Sequence, residues 1–93
     1  MKFHSKKEAD RFVELTLMEK AQAIQDLKTQ VKFPLVPKDE LGREVVYVAD
    51  FTYYDQGVLV VEDVKSPITK KNPVYRLKRR LLFNKYKIKI KET

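Results

Sequence analysis

The fold is decided by residues 44–65, which read EVVYVADFTYYDQGVLVVEDVK. β-Branched and aromatic side chains fill both halves of this stretch, and Asp55-Gln56-Gly57 between them is typical of a tight turn. The pattern predicts a β-hairpin with strands from Glu44 to Tyr54 and from Val58 to Lys65.

Pairing of these two strands would bring acidic side chains together. If Tyr54 pairs with Leu59, Asp50 faces Asp63, because in an antiparallel pair each step back along one strand is matched by one step forward along the other. Lys65 shares the face of Asp63, since side chains two apart in a strand point the same way. A two-residue change of register would leave the two acids diagonal on one face, whereas a one-residue slip would separate them.

Two carboxylates opposed in this way lie about 5 Å apart at their Cβ atoms and repel each other unless one is protonated or a cation lies between them. Mg²⁺ or Mn²⁺, which prefer oxygen ligands, suit such a pair. Lys65 beside the ion could orient or help deprotonate an attacking water and balance charge on the phosphorus oxygens. Asp50, Asp63 and Lys65 therefore predict phosphodiester hydrolysis.

An acidic residue on the first helix could join this site. Ser5-Lys6-Lys7-Glu8 has the spacing of a capping box, and the apolar residues that follow predict a helix from Lys6 to Lys20. Val13 and Leu17 belong to the predicted apolar face. Glu8 lies at the margin of that face and could complete the metal shell.

The remaining segments predict the rest of a mixed sheet. Residues 21–30 are ambiguous between helix and turn, residues 31–35 predict an edge strand, and residues 66–73 predict a loop. A second amphipathic helix is predicted from Val74 to about Asn84, with Leu77 on its apolar stripe, and residues 86–90 alternate like a half-buried strand. The expectation is an α/β (mixed α+β) fold, order α-β-β-β-α-β, with a central mixed sheet flanked by helices and residues 1–93 in one domain.

Composition narrows the possible chemistry. The chain has no cysteine and one histidine, which excludes a thiolate nucleophile and makes a zinc site or a histidine triad a poor fit. No run of about 18 apolar residues is present, so we expect a cytoplasmic protein with no membrane partner. Carboxylates, lysine and a hard cation remain as the means of catalysis, without a small-molecule cofactor.

The net charge of +7 predicts a polyanionic partner, most naturally DNA. The positive excess lies mainly from Lys65 onward, where six basic side chains are candidate phosphate contacts: Lys70, Lys71, Arg76, Lys78, Arg79 and Arg80. Phosphate contacts position a protein on DNA without reading its sequence. We therefore expect recognition of DNA structure.

Other interpretations of these residues stay open. Asp63 and Lys65 are also compatible with a solvated charge pair, and Glu8 with a purely capping role. Glu62 would replace Asp63 as the candidate ligand if the register slipped by one residue.

The chain has a predicted helix that carries Glu8, a strand that carries Asp50, a turn, and then a strand that carries Asp63 and Lys65 two residues apart. This order resembles the PD-(D/E)xK (restriction-endonuclease-like) nuclease superfamily, and within it a small phage and prophage Holliday-junction-resolvase-like family of unknown function. The resembling segments are Phe3–Ala9, Leu27–Phe33, Tyr47–Phe51, Val60–Lys65 and Leu77–Phe83. Ala49 stands where the superfamily motif has Pro, and Ser66-Pro67 where Gly often follows the Lys.

The resemblance implies a magnesium-dependent endonuclease of branched DNA, acting in the host cell of a phage or prophage. It makes Asp50, Asp63 and Glu8 metal ligands, Lys65 the catalytic lysine and Gln30 a further candidate near the site. Resolvases of this superfamily cut two strands symmetrically, which implies a homodimer. The alternatives are a basic nucleic-acid-binding or assembly protein that does not cleave, and a module that binds an acidic protein partner.

Overall fold

The computed structural model describes residues 3–93, which form a mixed α+β structure around a four-stranded sheet. Its elements are α1 (Lys6–Lys20), β1 (Gln25–Val36), β2 (Val45–Asp55), β3 (Val58–Asp63), α2 (Pro67–Lys70), α3 (Pro73–Tyr86) and β4 (Lys91–Glu92). The predicted class and central mixed sheet are confirmed. The predicted loop of residues 66–73 contains the one-turn helix α2.

Helix α1 begins where its cap predicts. Ser5 has extended backbone, and its side chain accepts a hydrogen bond of 3.1 Å from the amide of Glu8. The span from Lys6 to Lys20 is confirmed. The predicted apolar face is partly wrong, because Val13 and Leu17 are 57% and 60% exposed. Leu15 is fully buried, so only one edge of the apolar stripe meets the sheet.

The hairpin of β2 and β3 has the predicted register. Tyr54 pairs with Leu59 and Thr52 with Val61. The turn consists of Gln56 and Gly57, both with positive φ, of 51° and 80°. Positive φ at both turn residues gives the twist that joins two adjacent antiparallel strands. The local turn therefore fixes which residues of the two strands face each other.

Strand β1 resolves the ambiguity of residues 21–30. It begins at Gln25 and lies at one edge of the sheet, antiparallel to β2. Pro34 is tolerated because the edge of a sheet does not require every amide to donate. The predicted edge strand is confirmed, and it is longer at its N-terminal end than the alternation of residues 31–35 indicates.

The prediction of a strand over residues 86–90 is wrong. Helix α3 ends at Tyr86, and its C-cap residue Lys87 has a left-handed φ of 59°. Ile88 and Ile90 are half-buried against the core, so their alternation reflects burial along an extended segment. The strand itself is the short β4, which pairs parallel to the end of β3.

Two buried clusters cover opposite faces of the sheet. The α1 cluster contains Leu15, Ile24, Phe51 and Tyr53, and the α3 cluster contains Leu35, Tyr47, Ala49, Val61, Tyr75 and Leu82. Val60 packs against the first cluster and Val61 belongs to the second, as expected for adjacent residues of a strand. The helices α1 and α3 therefore flank the sheet.

The alternation of β2 reverses at Asp50. Tyr47 and Ala49 belong to the α3 cluster, whereas Phe51 and Tyr53 belong to the α1 cluster. In a regular strand all four would share one face, because they are spaced two apart. The irregularity at Asp50 lets one strand supply buried side chains to both clusters.

None of the helices formed by residues 3–93 combines the length and the apolar character needed to span a membrane.

Candidate functional site

The predicted acids Asp50 and Asp63 meet just beyond the last paired residues of the hairpin. The amide of Asp50 donates to Asp63 Oδ1 at 2.7 Å, and the amide of Val64 donates to Asp50 Oδ2 at 2.9 Å. Each carboxylate therefore bridges the two strands after the regular ladder ends at Phe51 and Glu62. These bonds hold the two acids side by side.

Asp63 is 1% exposed and has donors on both oxygens. The Tyr47 hydroxyl donates to Oδ2, and Lys65 Nζ lies 3.8 Å from the same oxygen. Burial raises the pKa of Asp63, and the charge of Asp50 adds to the rise; hydrogen bonds from Tyr47 and the Asp50 amide and the charge of Lys65 oppose it. The pKa remains above its ordinary value, so the ionised form is disfavoured in this environment.

Glu8 joins this pair from helix α1. Its side chain is buried, and Gln30 Nε2 donates to its Oε1 at 3.1 Å. The pKa of Glu8 is raised, first by burial and then by the charge of Asp50, with a smaller contribution from Asp63. Three carboxylates from α1, β2 and β3 thus share one electrostatic environment, and Gln30 lies beside Glu8.

Gln30 and Asp50 form an irregular point in the pairing of β1 with β2. Thr29 pairs with Phe51 and Val31 with Ala49, so Gln30 and Asp50 stand opposite each other between them. Gln30 has a φ of 53°, in the left-handed region that side chains other than Gly, Asn and Asp seldom adopt. This backbone irregularity coincides with the reversal of alternation at Asp50 and with the hydrogen bond to Glu8.

Lys65 is held over an aromatic ring. Its Nζ lies 4.5 Å from the centroid of the Tyr75 ring in addition to its contact with Asp63. The Tyr75 hydroxyl donates to Glu92 Oε2 at 2.6 Å, which fixes the ring between helix α3 and strand β4. A cation over an aromatic face is attracted by the ring quadrupole. The predicted lysine is therefore oriented from two directions.

Glu62, the alternative candidate ligand, has a different environment. It is 0% exposed and accepts two hydrogen bonds from Arg11, at 2.6 and 3.0 Å, one from the Tyr53 hydroxyl and one from Thr93 Oγ1. Burial alone would raise its pKa, but the bonds from Arg11, Tyr53 and Thr93 lower it below its ordinary value. Glu62 thus belongs to a structural ion pair on the α1 side, apart from the Asp50 and Asp63 pair.

Three side chains that contact the buried acids or Lys65 were not predicted from the sequence: Arg11, Tyr47 and Tyr75. Arg11 lies three residues after Glu8, and that spacing on a helix puts both side chains on neighbouring positions of one face. This signal could have suggested Arg11 as a partner for an acid of the sheet. Tyr47 and Tyr75 had no comparable signal, because their roles depend on the irregular backbone at Asp50 and on the packing of α3.

The six cationic side chains predicted to contact phosphate lie on or next to helices α2 and α3. Lys70, Lys71, Arg76, Arg79 and Arg80 are exposed, and Lys78 is half-buried. Arg79 is already engaged, since its Nη1 lies 3.2 Å from Glu92 Oε2 and its guanidinium lies 5.7 Å from the centroid of the Tyr75 ring. The other exposed cations form a positive surface along α2 and α3.

The donor set fits a hard cation in its chemistry. Glu8, Asp50 and Asp63 offer only oxygen atoms, and the pKa of both Glu8 and Asp63 is raised, first by burial and in addition by the charge of neighbouring carboxylates, which a divalent ion would neutralise. Within residues 3–93, no three acidic or histidine side chains already have the spacing of metal ligands.

Comparisons with known proteins give a family. No curated protein and no solved structure matches the chain. A family model described as "Protein of unknown function (DUF1064)" matches residues 1–93, the whole chain, and the protein therefore belongs to that family.

Proposed function

We propose that this protein is a metal-dependent DNA endonuclease that hydrolyses phosphodiester bonds. The observation that carries the proposal is the meeting of Glu8, Asp50 and Asp63 beside Lys65, with the pKa of two of the acids raised. A cluster of carboxylates lowers the stability of a fold when it holds fewer cations than acids. Such a cluster therefore favours a functional role. The element order and the flanking helices are compatible with a restriction-endonuclease-like core.

The side chains have distinct proposed roles. Glu8, Asp50 and Asp63 would hold Mg²⁺ or Mn²⁺, which when bound lowers the pKa of a water and polarises the phosphate. Lys65 Nζ, fixed between Asp63 and the Tyr75 ring, would orient the attacking water and balance negative charge on the phosphorus oxygens. Gln30 would keep Glu8 in place through its hydrogen bond.

The positive surface along α2 and α3 supports DNA as the substrate. Lys70, Lys71 and Arg76 are exposed near the segment that follows Lys65, where they could contact phosphates on either side of the cleaved bond. Such contacts favour recognition by DNA shape, as on branched DNA in a phage context. A homodimer would supply a second site for the opposite strand.

A second candidate is a nucleic-acid-binding or assembly protein with the same fold that does not cleave. The observation that favours it is the saturation of Asp63, both of whose oxygens accept hydrogen bonds, from Tyr47 and from the Asp50 amide. A purely structural network would also satisfy a buried acid in this way.

The test is cleavage of labelled four-way junction, flap, duplex and single-stranded DNA with Mg²⁺, Mn²⁺ or EDTA. We expect metal-dependent products from the wild type, and losses of at least about a hundredfold in Asp63→Asn and Lys65→Ala, typical of removing a charged catalytic group. Asp26→Asn and Lys20→Ala, which change the same charges at exposed positions, should cleave normally.

Two results would contradict the proposal. If no substrate is cut while the wild type and both site variants bind DNA equally, the non-cleaving candidate is correct. If cleavage persists in EDTA or in Asp63→Asn of verified fold, the acids do not hold the catalytic ion.

A further inference from the structure

A groove of about 780 Å³ runs between helix α3 and the segment that follows it. Its cationic lining consists of Arg76, Arg79, Arg80 and Lys89. The lining includes no acidic side chain among residues 3–93. A groove with only positive charge along its walls attracts a polyanion.

The groove also has an apolar wall, which a phosphate-binding surface does not need. Leu77 is 58% exposed and Phe83 37% exposed, and Ile88 and Ile90 line the same groove. The ammonium groups of Lys87 and Lys89 lie 5.9 and 5.7 Å from the centroid of the Phe83 ring. A positively charged groove that also exposes an aromatic ring can bind the phosphates and the unpaired bases of a single strand together.

The groove adjoins the candidate site through a single ring. Arg79 lines the groove and contacts Tyr75, and the same ring carries Lys65 Nζ at 4.5 Å. A strand lying in the groove could therefore continue past Arg79, which is paired with Glu92, toward Lys65 and the carboxylates.

We infer that the groove lined by Arg76, Arg80, Phe83 and Lys89 binds a single-stranded segment of DNA, with bases against Phe83 and phosphates on the cations. Duplex DNA would use the cations alone, because its base faces are stacked inside the helix. It follows for the substrate that an unpaired arm lies next to the bond that is cut. This part of the inference rests on the proposed nuclease function.

Binding is measured by fluorescence anisotropy of a labelled oligo-dT and of a blunt duplex of equal length, with EDTA present so that no metal-dependent cleavage occurs. We expect Phe83→Ala and Phe83→Leu to weaken oligo-dT binding about tenfold, because each removes the stacking ring, and Phe83→Leu retains apolar volume. Duplex binding should change less than about twofold. Arg80→Ala should weaken both.

Tyr54→Ala is the matched control, since Tyr54 is 40% exposed at the far end of the hairpin and should leave both affinities unchanged. The inference is overturned if Phe83→Ala and Phe83→Leu bind oligo-dT like the wild type, or if both ligands weaken equally. It is also overturned if labelled poly-glutamate competes fully with oligo-dT at matched charge, which would indicate an acidic protein partner.

This binding measurement and the metal-dependent cleavage test together separate the two proposals. Phe83-dependent binding of oligo-dT without cleavage of any DNA would retain the groove assignment and overturn the nuclease proposal. Metal-dependent cleavage with Phe83-independent binding would retain the nuclease and overturn the groove.

Discussion

Glu62 and Asp63 are neighbours in β3, equally buried, and yet they have opposite electrostatic environments. Glu62 faces α1 and is paired with Arg11 at 2.6 Å, so its pKa is lowered. Asp63 faces the α3 cluster, next to Asp50, and its pKa is raised. Because a strand sends adjacent side chains to opposite faces, one residue of sequence separates a stabilising acid from a destabilising one.

Substitution of these two acids should have effects of opposite sign at pH 7. Glu62→Gln should lower the free energy of unfolding by about 3 kcal/mol, because Arg11 loses its buried partner. Asp63→Asn should raise it by about 1 kcal/mol, since a disfavoured buried charge is removed. Urea unfolding between pH 3 and pH 8 measures both.

The pH dependence distinguishes the two acids. A lowered pKa gives Glu62 a stabilising effect above its unfolded-state pKa, which is lost as the pH falls through its folded-state pKa. A raised pKa makes Asp63 destabilising as the pH rises above its unfolded-state pKa, so Asp63→Asn and the wild type should converge in acid. Equal stability of Asp63→Asn and the wild type at every pH would contradict the strained carboxylate cluster.

At the scale of elements, the irregular point between β1 and β2 shapes the site. Gln30 has a φ of 53° opposite Asp50, and its side chain holds Glu8 of α1. In a regular edge strand, the side chains of Gln30 and Asp50 would not meet Glu8 in this way. The strand thus departs from ideal geometry where the three acids meet, as strained backbone often does at functional sites.

We expect Gln30→Val to lower the free energy of unfolding by about 2 kcal/mol, because a β-branched residue is disfavoured at positive φ. Gln30→Gly should stay within about 1 kcal/mol of the wild type, since glycine adopts this conformation readily. Lys32→Val, at an exposed position of the same strand without positive φ, is the control and should be nearly neutral. Equal effects of the two valine substitutions would show that the backbone at residue 30 is not restrictive.

At the scale of the whole molecule, the net charge of +7 is distributed unevenly. Lys70, Lys71 and Arg76 lie on the α2 and α3 side of the site, whereas Lys20, Lys32 and Lys38 are exposed on other segments. If the first set contacts phosphate, its binding releases counterions condensed on the DNA, and the second set contributes little to that release.

The triple variant Lys70→Ala, Lys71→Ala, Arg76→Ala should therefore reduce the slope of log K against log salt for duplex DNA by about 2 to 3. The variant Lys20→Ala, Lys32→Ala, Lys38→Ala loses the same charge and should keep the wild-type slope. Equal slopes in the two variants would mean that net charge, and no particular surface, governs binding.

The sequence by itself determined the elements whose signals are local. The cap at Ser5 set the start of α1, and the alternation with its turn at Gln56 and Gly57 set the hairpin register that brings Asp50 beside Asp63. Lys65 was predicted to lie on β3 with Asp63; the strand ends at Asp63, and Lys65 contacts that acid from two residues beyond the strand. The last strand was misplaced, because the alternation of Ile88 and Ile90 has the same period whether a segment is hydrogen-bonded in a sheet or merely packed on the core.

The tertiary structure alone decided which residues distant in sequence meet at the buried acids. Gln30 and Glu8 are 22 residues apart, and Arg11 and Glu62 are 51 residues apart. Their contacts depend on how α1 packs across the sheet and on the reversed alternation at Asp50, which places Tyr47 beside Asp63. Local patterns specify strands and caps through backbone geometry, whereas such contacts follow from the packing of complete faces, which no single stretch of sequence contains.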